Sequence, residues 1–153
     1  MKANNGSGNI SARDGWRTNQ ILFDSLNRQY HFEFDCCATK SDSKCASYSS
    51  DFENVKKING AAWMNPPFSV ARQMFVKFFK VVSSGVAIYR CDNLETAIWQ
   101  EIIFPGSDWV FIPNRRVSYE GMNGSGARFP SALVGVGVDI PNNISGTILN
   151  LSR

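Results

Sequence analysis

A chain of 153 residues with a 43% hydrophobic fraction, 11 Phe, 4 Trp and 4 Tyr has ample material for a core, which excludes a wholly disordered protein and leaves no space for a separate partner domain. The longest apolar stretches, 60–64 and 132–138, fall far short of the roughly 18 residues that span a bilayer, and the polar start Met1 to Asn9 lacks an apolar signal core, so the expected location is the cytosol. A net charge of +3 permits a polyanionic partner without identifying one.

Residues 1–12, with Asn4, Asn5, Gly6, Ser7 and Gly8, have turn chemistry and little apolar surface, so a flexible arm is expected there and one domain over 13–153. Thr18 or Asn19 caps a short helix through Leu26, with Ile21, Leu22 and Leu26 on one face. A strand from His31 to Phe34 ends at Asp35, and the polar stretch 39–60 gives no clear pattern. Ala61 to Met64 reads as a buried strand stopped by Pro66-Pro67, because proline cannot donate to a ladder. Apolar residues at helical spacing predict a helix over 70–82 capped by Ser69. Then come a strand over 86–89, a capped helix over 93–103, a strand over 109–112 and a last buried strand over 132–138.

The alternation of strands and helices predicts an α/β fold with a mostly parallel sheet, helices on its faces and a ligand at the carboxyl ends of the strands. Asp35 and Asn65 lie at two such ends. Between the last two strands, Arg115, Arg116 and Arg128 surround Gly121, Gly124 and Gly126 in a basic loop that either follows a phosphate backbone or is a plain solvated connection. Four cysteines in an untargeted chain read as reduced thiols, and adjacent Cys36 and Cys37 are poorly placed for a mutual disulfide. Cys36, Cys37, Cys45 and His31 fit no paired zinc knuckle, so no metal site is expected, and His31 reads as a sheet residue.

Asn65-Pro66-Pro67-Phe68, between a buried strand and a helix, carries the chemistry. The exocyclic amine of adenine is a poor nucleophile because its lone pair is delocalised into the ring. The Asn65 side-chain oxygen and the Pro66 carbonyl can each accept one amino hydrogen, which draws the nitrogen toward sp3 geometry. Two prolines stiffen that backbone, and the Phe68 ring offers a face for a base taken out of the duplex. Read blandly, the same residues form a turn and Phe68 is a core residue.

With that motif the chain resembles the phage-type DNA N6-adenine methyltransferases, a compact Dam-like group, from about Asp14 to Gly137. Trp16-Arg17-Thr18 with Leu22-Phe23 is similar to the family's opening, Phe34-Asp35-Cys36-Cys37-Ala38 to its next segment, then Lys44-Cys45 and Tyr48. Trp63 to Ser69 resembles its catalytic strand end, and Arg115-Arg116, Tyr119 and Phe129-Pro130-Ser131-Ala132-Leu133-Val134 its terminal block. Asn19 stands where the family usually has proline, and Tyr89-Arg90-Cys91-Asp92 where it more often shows a proline and an arginine.

The resemblance implies a Rossmann-like S-adenosylmethionine-dependent methyltransferase fold, reduced in size, that transfers a methyl group from S-adenosyl-L-methionine to N6 of adenine in double-stranded DNA. It places Trp16, Thr18, Asp35 and Ala38 at the methyl donor and Asn65 to Phe68 at the target base, with Asp51 a candidate for a ribose hydroxyl. A sulfonium cation is favoured beside a carboxylate such as Asp35 or an aromatic face such as Trp16, although Asp35 also suits a strand-end turn and Trp16 a sealed core. Arg115, Arg116 and Arg128 are the candidate DNA contacts. A phage origin implies the host cytoplasm and protection of phage DNA in a restriction-modification setting. Other amines, cytosine N4 or a protein glutamine, and an inactive DNA-binding or donor-binding module remain alternatives.

Overall fold

Asn19 sets the start of the first helix. Its Oδ1 accepts the N–H groups of Ile21 and Leu22 at 2.9 and 3.1 Å, satisfying two donors that the first turn leaves open. Helix α1, Gln20–Tyr30, follows and buries Phe23, Leu26 and Tyr30 along one face. In this computed structural model, residues 17–120 and 129–151 are described; the expected arm over 1–12, Trp16 and Arg128 lie outside them.

His31 is not a strand residue, which corrects the sequence expectation. The helix runs to Tyr30, and His31 ends it in the left-handed region at φ 55° with its N–H on the Asn27 carbonyl. The side chain of Asn27 then takes the Phe32 N–H at 2.7 Å. The strand begins only at Phe34.

A short ribbon pairs β1, Arg17–Thr18, antiparallel with β7, Tyr119–Glu120. The main sheet has seven strands in the order β3-β2-β4-β5-β8-β6-β9. They are β2 Phe34–Asp35, β3 Ser47–Tyr48, β4 Ala62–Met64, β5 Gly85–Arg90, β6 Trp109–Pro113, β8 Ser131–Val136 and β9 Gly146–Asn150. Neighbours from β3 to β5 pair in parallel, whereas β5 with β8, β8 with β6 and β6 with β9 pair antiparallel. The expectation of a mostly parallel sheet is therefore corrected. Strand β8 is buried on both faces and reads as a continuous apolar run, the usual mark of a parallel strand, although it runs against both neighbours. Strand β9, largely exposed at the sheet edge, leaves no apolar signature by which the sequence could announce it.

Helix α2, Ala71–Val81, buries Met74, Phe75 and Phe78 against Ala62, Met64 and Val134 on one face of the sheet. Its first turn is not capped by Ser69, which sits in a 3-10 turn over Phe68–Val70. On the same face a π-helical turn, Ile98–Ile103, runs into α3, Phe104–Gly106. The Phe104 N–H reaches five residues back to the Trp99 carbonyl, and Pro105 has no N–H with which to resume the narrower ladder. The opposite face carries α1, where Phe23 and Phe32 pack at 5.6 Å from the ring of Trp63. Large rings buried on both faces each contribute about 1.5–3 kcal/mol.

Two close fits hold the antiparallel half. A Cβ on Gly135 would lie 2.0 Å from the Trp109 indole, so the ring crosses β8 only because that residue is glycine. The segment after β8 is also fastened to α1: Tyr30 donates its hydroxyl to the Asp139 carbonyl at 2.6 Å, Gln29 bonds to Ile140 and Asn142, and Asn143 donates to the Ser25 carbonyl.

Candidate active site

The chain leaves β2 toward β3 on one side of the sheet and leaves β4 toward β5 on the other. The order thus reverses between β2 and β4. In open α/β sheets a ligand binds in the crevice beyond the strand ends at such a reversal. A cavity of about 360 Å³ lies there, lined by Cys36, Cys37, Ala38 and Thr39 after β2, by Ser49 to Asp51 after β3, and by Pro67, Val70 and Met74. Its size falls in the range of roughly 300–1,000 Å³ found for small-molecule sites. Cys36, Cys37 and Ala38 are small enough to let a ligand approach the backbone. Asp51, exposed on the rim, accepts the Asn54 amide at 2.6 Å.

Asp35 ends β2 one residue before Cys36 but does not line this cavity. It is 3% exposed. Its Oδ2 accepts the Lys44 N–H at 2.9 Å, while Oδ1 is buried without a hydrogen-bond partner. Burial pushes the carboxyl up to about 6; the N–H groups of Lys44 and Cys37 pull it down, Asp42 pushes it up, and the Lys44 ammonium pulls it down. An unpaired carboxylate oxygen in the interior is costly. Lys44 also reaches across the molecule: its Nζ donates to Gln20 Oε1 at 2.7 Å and lies 3.5 Å from Glu120 Oε1. One residue thereby ties the loop after β2 to the head of α1 and to β7.

Asn65 follows β4 directly and is half-buried. The prolines behind it are positioned differently. Pro66 is buried, whereas Pro67 forms part of the cavity wall. Phe68 turns away into an aromatic group, edge-on to Tyr89 at 5.9 Å and to Phe129 at 5.5 Å. Tyr119, which pairs with Thr18 across the ribbon, packs on Phe129 at 6.0 Å and shares a 2.8 Å hydrogen bond with Ser131. Arg90 stands over the rings of Phe68 and Phe129. Arg115 and Arg116 are exposed just beyond the end of β6, at the same edge of the sheet.

A comparison with protein families matches residues 7–127 to DNA N-6-adenine-methyltransferase (Dam). The chain belongs to the Dam family. The match takes in α1, the cavity, the Asn65–Phe68 turn and the Arg115-Arg116 pair of this Dam-family chain, and stops before β8. A comparison with curated proteins gives no match. Among the described residues, no helix is long and apolar enough to cross a membrane, and no three His, Cys, Asp or Glu gather where they could hold a metal ion.

Of the residues singled out in the sequence, Ala38, Asp51 and Pro67 line one cavity, and Phe68 and Thr18 belong to the neighbouring aromatic group or its ribbon. Asp35 lies buried next to Cys36 of the cavity wall, and Arg115 and Arg116 are exposed beyond the end of β6. Asn19 and Tyr89-Arg90-Cys91-Asp92, both set apart in the sequence, have structural roles. Asn19 supplies a cap that proline could not, and its Nδ2 donates to Ser118 Oγ at 3.0 Å, joining α1 to the approach of β7. Tyr89 and Arg90 both contact Phe68. Arg90 is also hydrogen-bonded through Nε and Nη2 to the two carboxylate oxygens of Asp92, and neither this pairing nor the reach of Lys44 is marked by any periodicity or motif in the sequence.

Proposed function

We propose that this Dam-family chain binds S-adenosyl-L-methionine in the crevice between β2 and β4 and methylates N6 of adenine in double-stranded DNA, on a Rossmann-like scaffold. The observation that carries the reading is the double role of a single turn. Pro67 walls the cavity, and Phe68, its neighbour, joins the aromatic group on the other side. A donor in the cavity and a base against Phe68 would meet at Asn65.

The residues fit the donor. Small side chains border the cavity, Asp51 on its rim suits a ribose hydroxyl, and the unpaired Oδ1 of Asp35 suits a cation or an N–H donor. Asp35 and Cys36 lie on opposite faces of β2, so a ligand that reaches both crosses the strand end at the topological reversal. Thr18 would close that side, and Trp16 is proposed as a further contact of the donor. The cofactor supplies a methyl group activated on a sulfonium.

The chain supplies position. The Asn65 oxygen and the Pro66 carbonyl accept the two amino hydrogens and aim the nitrogen lone pair, while Phe68 receives the extruded base. No strong general base is needed, because the amine loses its proton only after attack, to a carbonyl or to water. Arg115, Arg116 and Arg128 would contact phosphate. Incubating the purified protein with duplex DNA and methyl-labelled donor, then digesting the DNA, should yield labelled N6-methyladenine. Label in N4-methylcytosine or in protein glutamine would redirect the substrate, and donor binding by calorimetry without transfer would reduce the chain to a binding module.

A further inference from the structure

We propose that Arg90, locked by Asp92, is a positioning residue that fixes the Phe68 ring for the incoming base. The inference rests on the reading that Phe68 receives that base. Arg90 ends β5, parallel neighbour of β4, so it stands beside the turn that carries Asn65 and Phe68. Its backbone is held from two sides: the carbonyl accepts the Trp99 indole N–H at 3.1 Å, and the residue pairs with Ser131 of β8.

The side chain is equally constrained. Arg90 Nε donates to Asp92 Oδ1 at 2.8 Å and Nη2 donates to Oδ2 at 2.5 Å, a two-pronged fork across only two residues. The Arg90 side chain is 15% exposed and that of Asp92 28%. The guanidinium holds the Asp92 carboxyl below the usual carboxylate range. Set at this angle, the guanidinium carbon lies 4.6 Å from the Phe129 ring centre and 5.8 Å from that of Phe68. A cation over a ring face favours one orientation of that ring, and Phe129 and Tyr89 block the others edge-on.

Binding a phosphate is the competing use of an arginine at this edge. Asp92 argues against it, because it already neutralises Arg90 and occupies two of its donors, whereas Arg115 and Arg116 beyond β6 are exposed. Three variants test the proposal: Arg90→Met, Arg90→Lys and Asp92→Asn, each checked for folding by its thermal melt. Arg90→Met should lower kcat about tenfold or more, through misplacement of the base, with the salt dependence of DNA binding unchanged. Arg90→Lys should not restore the rate, since an ammonium cannot form the fork. Asp92→Asn, which keeps the shape and weakens the fork, should lower kcat to a smaller degree. A duplex carrying 2-aminopurine at the methylated position should show altered fluorescence with the variants, reporting a displaced base.

An unchanged kcat and fluorescence in folded Arg90→Met would overturn the proposal. So would a salt slope lower by about one, the mark of one phosphate no longer neutralised. Phe68→Ala separates the two levels. If it leaves kcat intact, the reading of Phe68 fails and this inference with it; if it abolishes transfer while Arg90→Met does not, only the role of Arg90 fails.

Discussion

The β3-β2-β4 part of the sheet is made of strands two or three residues long, paired in parallel, while β5, β6, β8 and β9 are five or six residues long and run antiparallel from β5 onward. The short strands hold little of the ladder, yet their ends border the cavity and the buried carboxylate. The long strands carry Tyr89 and Arg90 on β5, and their ends lead to Phe129 before β8 and to Arg115 and Arg116 after β6. Rigidity and ligand access are thus divided between two regions, which meet at the Asn65–Phe68 turn. If the proposed division is right, damage to one region should be separable from damage to the other.

The largest effect is expected at the junction. Asn65→Ala removes one of two acceptors for the amine, and a drop of about 10²- to 10³-fold in kcat is the scale for one such polar interaction. Calorimetry should show donor affinity close to wild type. Equal drops in both quantities would break the comparison, because the turn would then serve the donor as well.

Asp35→Asn tests the first region. The wild-type carboxyl, raised by burial to about 6, costs stability once ionised. The sign follows from proton binding: between the unfolded value near 3.8 and the folded value near 6, the folded state holds the extra proton, so stability falls as pH rises through that window. Asparagine avoids the cost. The variant should therefore be more stable than wild type at pH 7, by up to about 3 kcal/mol, read as a higher melting point, and the gap should close by pH 4. Donor affinity should fall at the same time, the opposite direction from stability. A lower melting point at pH 7 would contradict the account of Asp35 as a strained ligand-seeking group.

Gly135→Ala tests the second region. The added methyl meets the Trp109 indole at 2.0 Å, and overpacking of this kind costs about 1–3 kcal/mol. Melting should fall while the folded fraction binds donor normally. Last, replacing Arg115 and Arg116 by Ala should weaken DNA binding broadly and flatten its salt dependence by about 0.9 for each phosphate that the variant leaves unneutralised. An unaltered slope would assign both residues to the solvated surface.

What the sequence revealed follows from which signals are local. Helical spacing in Val70 to Val82 located α2 to within a residue at each end, and the apolar runs at Val86 and Trp109 located β5 and β6. Local chemistry also offered Thr18 or Asn19 as a cap, of which Asn19 serves for a helix that runs past Leu26 to Tyr30, and marked Asn65 to Phe68 as a strand-end turn. His31 failed because His31-Phe32-Glu33-Phe34 alternates like a strand, while the helix before it uses Asn27 and a left-handed residue to end. The sheet direction failed because burial on both faces looks the same in parallel and antiparallel strands. At the site, Ala38 and Asp51 were singled out and do line the cavity, whereas Pro67, Val70 and Met74 were not read as its wall, and Lys44 meets Glu120 76 positions away. The Arg90–Asp92 fork needs a bend between the two residues that no pattern predicts.

The four side-chain bonds between 139–143 and α1 reach further than local packing. They bind a late stretch of chain to the first helix, whose head is in turn joined to β7 through Asn19 and Gln20. Breaking this remote belt, for example with Tyr30→Phe and Gln29→Ala together, should loosen the ribbon that carries Thr18 and Tyr119, so hydrogen exchange there should quicken although neither substitution touches it.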